Sequence, residues 1–371
     1  MDTDTSARLL EGLPARYGDL RLLKRRVLEV ALREDSFEAS EEEWEIAVCR
    51  VIDGGYGVAC TDRVEMGRVK EILRLAHREA RSLGGNLEPL PVEVEVGEAL
   101  YPQGKELGVD EAALLLKDLR GEILERLGEK YRRSELIITH QYIDSALVTS
   151  EGTRVREGRP LTDITLYILA KDEREGYASK ILGGMGGYEV LEGQPWDEVL
   201  DTLTERVEKT STMKPRAIKA GRYKVVMDWE AAGALAHEVA HLLEADIHRS
   251  RLFQGLEVEE DLAITDDPTL PRGYASFHWD DEGVPGRRKT LLSREGLTLL
   301  HTRLTAKPGD TPGNARGLTH KPKPLMSNVF FEPSDWRIDE IFQETGRGIY
   351  VEGVVRAESD ARDGRIEIVP E

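Results

Sequence analysis

Apolar residues in the first half of the chain recur at two spacings, and each spacing predicts a different kind of element. A spacing of three to four residues predicts helices, and it covers residues 18–33, 64–83, 109–133 and 195–210. Alternation of apolar and polar residues predicts strands, and it covers residues 43–51, 134–150 and 162–172. A turn signal at Glu151 and Gly152 joins the last two strands as an antiparallel pair. Residues 84–108 are rich in Gly, Pro and Glu and are predicted to be a connecting stretch.

The chain changes character at a polar segment, KPRAIKAG, which covers residues 214–221. We interpret this segment as a linker, because 371 residues are more than one ordinary hydrophobic core holds. It divides the chain into domains of residues 1–215 and 216–371. RYKVVMD at 222–228 predicts a strand that leads directly into a helix, and the pattern beyond Arg251 predicts strands and loops with little helix.

The helix predicted after Asp228 carries an H-E-x-x-H motif. Asp228 can cap this helix by accepting a hydrogen bond from a backbone N–H of the first turn. At about 100° per residue, one stripe of the helix contains His237, His241, Glu244 and His248. The residues around the histidines are small, namely Gly233, Ala234, Ala240 and Ala245. Small neighbours leave room for a bound group, which favours a site over a plain solvent-facing surface.

The motif points to metal-assisted hydrolysis. Histidines four residues apart on a helix can share one tetrahedral Zn²⁺ through their ring nitrogens, so His237 and His241 are the predicted ligands. Glu238 lies one step around the helix, where it can take the proton of a metal-bound water as that water attacks a carbonyl. The third ligand stays open. Glu244 can reach the ion or orient a histidine from behind, and His278 in FHWDDEG is a candidate if that segment folds back over the helix.

Two loops are candidate substrate contacts. Four glycines in five positions, Gly183, Gly184, Gly186 and Gly187, can form a flexible hairpin tip or a backbone platform that lies against a ligand. The loop GNAR, with Gly313, Asn314 and Arg316, and the following KPKPLMSN can contact a ligand or can be an ordinary surface loop.

Charge and composition narrow the classes of partner. Lys and Arg number 51 against 70 Asp and Glu, so the formal net charge is −19, which repels phosphate backbones and anionic lipid. The basic residues Arg21, Lys24, Arg25 and Arg26 are interpreted as the solvated side of the helix predicted at 18–33. Cys49 and Cys60 form neither a metal-ligand pattern nor a disulfide scaffold. Neither a membrane-spanning run nor a signal peptide is evident, so we expect a cytoplasmic protein with no nucleic-acid or membrane partner.

The order of several landmarks resembles the TldD/PmbA family of zinc peptidases over nearly the whole chain. The landmarks are GGMGGYE at 183–189, LAHEVAHLLEAD at 235–246, DDEG at 280–283, GNAR at 313–316, HKPKPLMSN at 320–328 and GIYVEG at 348–353. The resemblance implies an α+β fold, in which an N-terminal α/β sandwich-like domain precedes a β-rich metallopeptidase domain that carries one HExxH helix.

The resemblance also implies roles for particular residues. His237 and His241 would bind Zn²⁺, Glu238 would be the general base, and the two loops at 183–187 and 313–316 would lie near the substrate. Members of the family look like peptidases that hold extended, unfolded peptides by main-chain pairing. They form dimers, so a homodimer or a heterodimer with a sister subunit is expected.

The chain departs from the family pattern at its metal site. Two residues separate Glu238 from His241, where the family usually has three, and no cysteine follows Cys60 although the family's third ligand is a C-terminal cysteine. Leu325 also stands where an arginine is usual. Three functions therefore remain open. The first is a zinc-dependent peptidase, and the second is a catalytically weak or inactive peptide-binding subunit that dimerises with a complete family member. The third is a metal-independent structural protein in which the two histidines are a chance pair.

Overall fold

The computed structural model describes residues 3–34, 36–214, 217–317 and 321–371. Seven α-helices lie in these ranges: α1 Thr3–Leu10, α2 Met66–Leu83, α3 Val109–Leu127, α4 Glu189–Glu192, α5 Trp196–Thr212, α6 Trp229–His241 and α7 Ile338–Thr345. Within the same ranges, no helix is long and apolar enough to cross a membrane. Pro215 and Arg216, at the predicted domain boundary, and His320 of the HKPKPLMSN landmark lie outside the described residues.

The first half of the chain forms a seven-stranded sheet around four long strands. Its strands are β1 Tyr17–Arg33, β2 Ser36–Asp53, β3 Gly55–Thr61, β4 Val96–Leu100, β5 Tyr131–Thr149, β6 Arg154–Lys171 and β7 Glu175–Met185. They lie in the order β3-β2-β1-β5-β6-β4, and β7 pairs with β6. All pairs are antiparallel except that of β4 with β6.

Two groups of helices cover one face of this sheet. Helices α3 and α5 pack on one end through buried residues such as Leu116 and Leu203, against Ile138 and Ile164 of the strands. Helices α1 and α2 pack on the other end, in a second cluster that contains Leu10, Leu20, Val69 and Ala76. The helical spacing predicted an apolar stripe on each of α2, α3 and α5. These stripes face the sheet and are buried against it.

The helix predicted for residues 18–33 is wrong, because this segment is the central strand β1. It pairs with β2 on one side and β5 on the other over nearly its whole length, so its backbone hydrogen bonds are satisfied between strands. Basic residues interrupt the alternation of apolar residues and mimic helical spacing. The strand instead divides them, since Arg21 and Arg25 alternate with Lys24 and Arg26 across its two faces. The connecting stretch at 84–108 also contains β4, an unpredicted strand.

The second half of the chain contains only short strands. They are β8 Val225–Met227, β9 Ile264–Asp266, β10 Lys289–Ser293, β11 Gly296–Leu297, β12 Ala315–Arg316, β13 Lys323–Pro324, β14 Val329–Phe331, β15 Ile349–Val351, β16 Arg356–Asp360 and β17 Arg365–Val369. A four-stranded sheet has the order β11-β10-β9-β14. Helix α6 packs on it through Ala236 and Ala240, and Leu243 follows just beyond the helix; all three belong to a core that includes Ile264 and Leu291.

Candidate metal site

Helix α6 places the two motif histidines side by side. It begins after Asp228, whose Oδ1 accepts a hydrogen bond from Ala231 N at 2.8 Å, as the capping prediction requires. The Nε2 atoms of His237 and His241 lie 3.1 Å apart. Two nitrogens bound to one tetrahedral zinc at the usual Zn–N distance of about 2.0–2.1 Å would be separated by roughly 3.3 Å. The imidazole pair therefore fits two positions of a zinc coordination shell.

Glu244 contacts His241 of the pair, although it lies beyond the end of the helix. The helix ends at His241, because the next residues turn to pair with another segment: Leu300 N donates to Leu243 O, and Ala245 N donates to Leu300 O, both at 3.0 Å. The predicted stripe of four residues is thus wrong in its second half. The Glu244 carboxylate nevertheless hydrogen-bonds His241 Nδ1. Such a bond fixes the tautomer of a ligating histidine and directs its Nε2 at the ion.

The electrostatics of the two imidazoles differ. The hydrogen bond to Glu244 raises the pKa of His241. Burial, followed by the neighbouring His241, lowers the pKa of His237 and favours its neutral, metal-binding form. Glu238 is buried, with 6% of its surface exposed. The motif therefore places an imidazole of lowered pKa, an oriented imidazole and a buried carboxylate on one helix turn.

No third ligand joins the histidines within the part of the chain that the structure describes, where no group of three or more His, Cys, Asp or Glu has a metal-binding arrangement. Of the two candidates, Glu244 is engaged with His241. His278 lies against the N-terminal sheet, where its backbone N donates to Glu157 Oε1 at 3.0 Å and its ring meets Trp279 edge-on. His248 is also elsewhere, with Nδ1 3.0 Å from Leu242 O.

The GNAR loop binds residues of its own chain. Asn314 is fully buried, and its Nδ2 donates to Asp266 Oδ2 at 2.8 Å while Lys289 Nζ donates to its Oδ1. Arg316 lies 4.1 Å over the Phe277 ring and donates to Ala275 O at 3.2 Å. Gly313 has a φ of +117°, which an L side chain rarely adopts. The loop also lies close to the segment that follows α6. Asn314 N donates to His301 O, and the preceding residue, Leu300, pairs with Leu243 and Ala245.

The glycine loop is also packed against its own chain. Gly183 and Gly184 end β7, opposite Asp163 and Thr162 of β6, so the segment is not a flexible hairpin tip. A Cβ on Gly187 would lie 2.2 Å from the backbone oxygen of Lys105. Gly186 has a φ of +150° and donates from its backbone N to Pro160 O at 3.0 Å. These glycines therefore allow other backbone segments of the same chain, at Lys105 and Pro160, to approach closely.

Gly187→Ala should destabilise the fold, because a methyl group has no room beside the Lys105 backbone. We expect a loss of about 1–3 kcal/mol in the free energy of unfolding, measured with urea. Gly121→Ala is the control, since a Cβ on Gly121 in α3 meets nothing within 4 Å. Equal stability of Gly187→Ala and the wild-type protein would contradict this packing.

A buried charged cluster, which the spacing of residues did not reveal, connects the DDEG segment to the N-terminal sheet. Arg50 Nε donates to both Asp19 carboxylate oxygens, at 2.8 and 3.1 Å, and its Nη2 donates to Asp281 O. Burial raises the pKa of Asp281, but Arg21 and then Arg316 outweigh it and bring the value to about 2. Burial and Asp280 raise the pKa of Glu282 to about 7. No local signal could reveal this cluster, because its members are far apart in sequence.

Comparison with known proteins covers most of the chain. Residues 102–213 match the model of the PmbA/TldA metallopeptidase central domain, and residues 220–370 match that of the C-terminal domain. A metalloprotease of Methanocaldococcus jannaschii is 25% identical over 94% of this chain and 80% of its own length. A protein of Saccharolobus solfataricus named zinc metalloprotease TldD homolog is 24% identical, over 95% and 80%.

Solved structures share the fold. TldE from Thermococcus kodakarensis superposes with a TM-score of 0.76 at 16% identity, over 98% of this chain and 85% of its own. A Thermotoga maritima protein described as a modulator of DNA gyrase has a TM-score of 0.74 at 20% identity, over 96% and 82%. The fold and the matched domains define an α+β protein of a metallopeptidase class, as the landmarks predicted. The chain belongs to the TldD/PmbA family.

Proposed function

We propose that this protein is a zinc-dependent peptidase that hydrolyses extended, unfolded peptides. The observation that carries the proposal is the pair of Nε2 atoms 3.1 Å apart, with Glu244 on the opposite nitrogen of His241. The metalloprotease names of the relatives support the same reaction class.

Each residue of the site has a separate task in this proposal. His237 and His241 hold the ion, and Glu244 keeps the Nδ1 proton of His241 in place so that Nε2 stays available. A bound zinc supplies Lewis acidity, which makes a water molecule acidic near neutral pH and polarises the peptide carbonyl. Glu238 takes the proton of the attacking water and passes it to the leaving amine.

The alternative function is that of a peptide-binding subunit with little or no activity. It is favoured by one observation: the described residues supply two imidazoles and no third ligand. In that case a partner of the same family would supply the chemistry. A dimer accommodates both functions, because a partner subunit can provide either a missing ligand or a complete active site.

Glu238→Gln tests the peptidase proposal. The amide cannot accept a proton from water, so we expect cleavage of unfolded casein by the zinc-loaded protein to fall about 100- to 10,000-fold. Zinc content should not change, because Glu238 is not a predicted ligand. Glu198→Gln on the exposed surface of α5 is the matched control and should keep full activity. A wild-type protein that binds zinc and casein but cleaves nothing would favour the alternative function.

A further inference from the structure

A crevice between α1 and α2 is separate from the metal site. It has a volume of about 300 Å³ and lies between the end of α1, the following loop and the middle of α2. Its apolar lining comes from Leu9, Leu13, Pro14 and Leu73. Its charged rim is formed by Arg8, Lys70, Arg74, His77 and Glu11. The crevice thus has an apolar floor and a predominantly basic rim.

The basic side chains line one crevice because they come from neighbouring faces of α1 and α2. Lys70 and Arg74 are one turn apart on α2, so they share a face of the helix. Arg8 comes from α1, which packs beside α2 over the shared core of Ala7, Leu10 and Leu73. All three side chains line the same crevice, so an anion bound there would reduce their mutual repulsion.

Apart from Glu11 on the rim, the nearby carboxylates contact other groups. Glu71 pairs with Arg68 at 2.8 Å, and Glu79 accepts a hydrogen bond from Val58 N at 2.9 Å. Asp53 contacts His77 Nε2 at 3.0 Å. No ion pair within 4.0 Å joins Arg8, Lys70 or Arg74 to a carboxylate in the ranges that the structure describes.

The crevice is a local exception to the charge of the chain. The chain has a net charge of −19, whereas Arg8, Lys70 and Arg74 line the crevice with one carboxylate, that of Glu11. A bound anion would balance this local excess of positive charge. The sequence did not reveal this basic patch, because Arg8 is remote from α2 in the chain.

We propose that the crevice binds a small organic phosphate. A phosphate monoester carries close to two negative charges and three acceptor oxygens, which match two or three converging basic side chains. The apolar floor would contact the organic part of the molecule. The crevice is too small for the six to ten phosphate contacts that bind a nucleic-acid strand with useful affinity. This proposal is independent of the metal site and of peptidase activity.

Calorimetric titration with phenyl phosphate, inorganic phosphate and phenol tests the proposal at low ionic strength. We expect phenyl phosphate to bind more tightly than inorganic phosphate, because only the former can use the apolar floor, and phenol not to bind. The double variant Lys70→Gln/Arg74→Gln should weaken phenyl phosphate binding by at least about tenfold, since it removes two charge-assisted hydrogen bonds. Arg8→Gln should weaken it as well.

The matched control is Arg68→Gln/Arg78→Gln, which removes the same charge from the same helix outside the crevice. It should change the affinity by less than about twofold. An equal loss in both double variants would mean that the ligand responds only to net charge, and this would overturn the proposal. Absence of binding by the wild-type protein would overturn it too. Binding to phosphatidic acid vesicles without binding to phenyl phosphate would replace the soluble ligand by a lipid surface and also contradict it.

Discussion

His241→Ala is expected to abolish zinc retention. The wild-type protein should keep about one zinc per chain after dialysis, and the variant should keep almost none, because a single remaining histidine binds the ion too weakly. Glu244→Ala should lower zinc affinity by about 10- to 100-fold, since it removes the carboxylate that orients His241. Metal content measured by mass spectrometry and affinity measured by chelator competition check both results.

A control for this experiment lies seven residues further along the chain. His248→Ala removes a histidine that contacts Leu242 O and stacks on Phe253, away from the Nε2 pair. It should leave zinc content unchanged. If His248→Ala loses zinc as completely as His241→Ala does, the ion is not held by the motif pair. If the wild-type protein retains none, the metal must be completed by a partner subunit or is not bound.

Asp19→Asn is expected to have the largest effect on stability. Asp19 and Arg50 form an ion pair whose side chains are each only 2% exposed, and Arg50 also donates to the backbone of Asp281. Removing the carboxylate charge leaves the guanidinium buried without its hydrogen-bonded counter-charge, so the free energy of unfolding should fall by about 3–5 kcal/mol. Urea denaturation at neutral pH measures this change.

A surface pair is the control for the buried one. Arg68 and Glu71 are about half exposed and lie 2.8 Å apart, so Glu71→Gln should change the free energy of unfolding by less than about 1 kcal/mol. A loss of similar size in Asp19→Asn would show that water reaches the Asp19–Arg50 pair.

Local patterns predicted most of the elements that bury a single face. The helical spacing of 64–83, 109–133 and 195–210 corresponds to α2, α3 and α5, and the alternation from Ser134 corresponds to β5 and β6. Each of these segments has one apolar face, and such a face has a period that the sequence displays. β1 was mistaken for a helix because its basic residues break that period. Its strand pairing is decided by β2, which follows it in a hairpin, and by β5, which is remote in sequence.

The sequence likewise predicted one part of the candidate metal site and missed another. The motif pair depends on residues four apart on one helix turn, so the convergence of His237 and His241 follows from the sequence and helix geometry. The position of Glu244 does not, because the helix ends at His241 where Leu243 and Ala245 pair with Leu300, a residue far along the chain. The glycine and GNAR loops were predicted as substrate contacts, and that role stays a prediction while their observed partners are Lys105, Asp266 and Lys289.

The sequence by itself determined the family, the amphipathic helices and the convergence of the two motif histidines, because each of these depends on residues that are close in the chain or on landmarks in a fixed order. The tertiary structure alone decided the position of Glu244 beyond the end of the helix, the pairing of Asp19 with Arg50 and the basic crevice of Arg8, Lys70 and Arg74. These features join segments that are remote in sequence, and burial and charge act on them only once the sheet and its helices have brought them together.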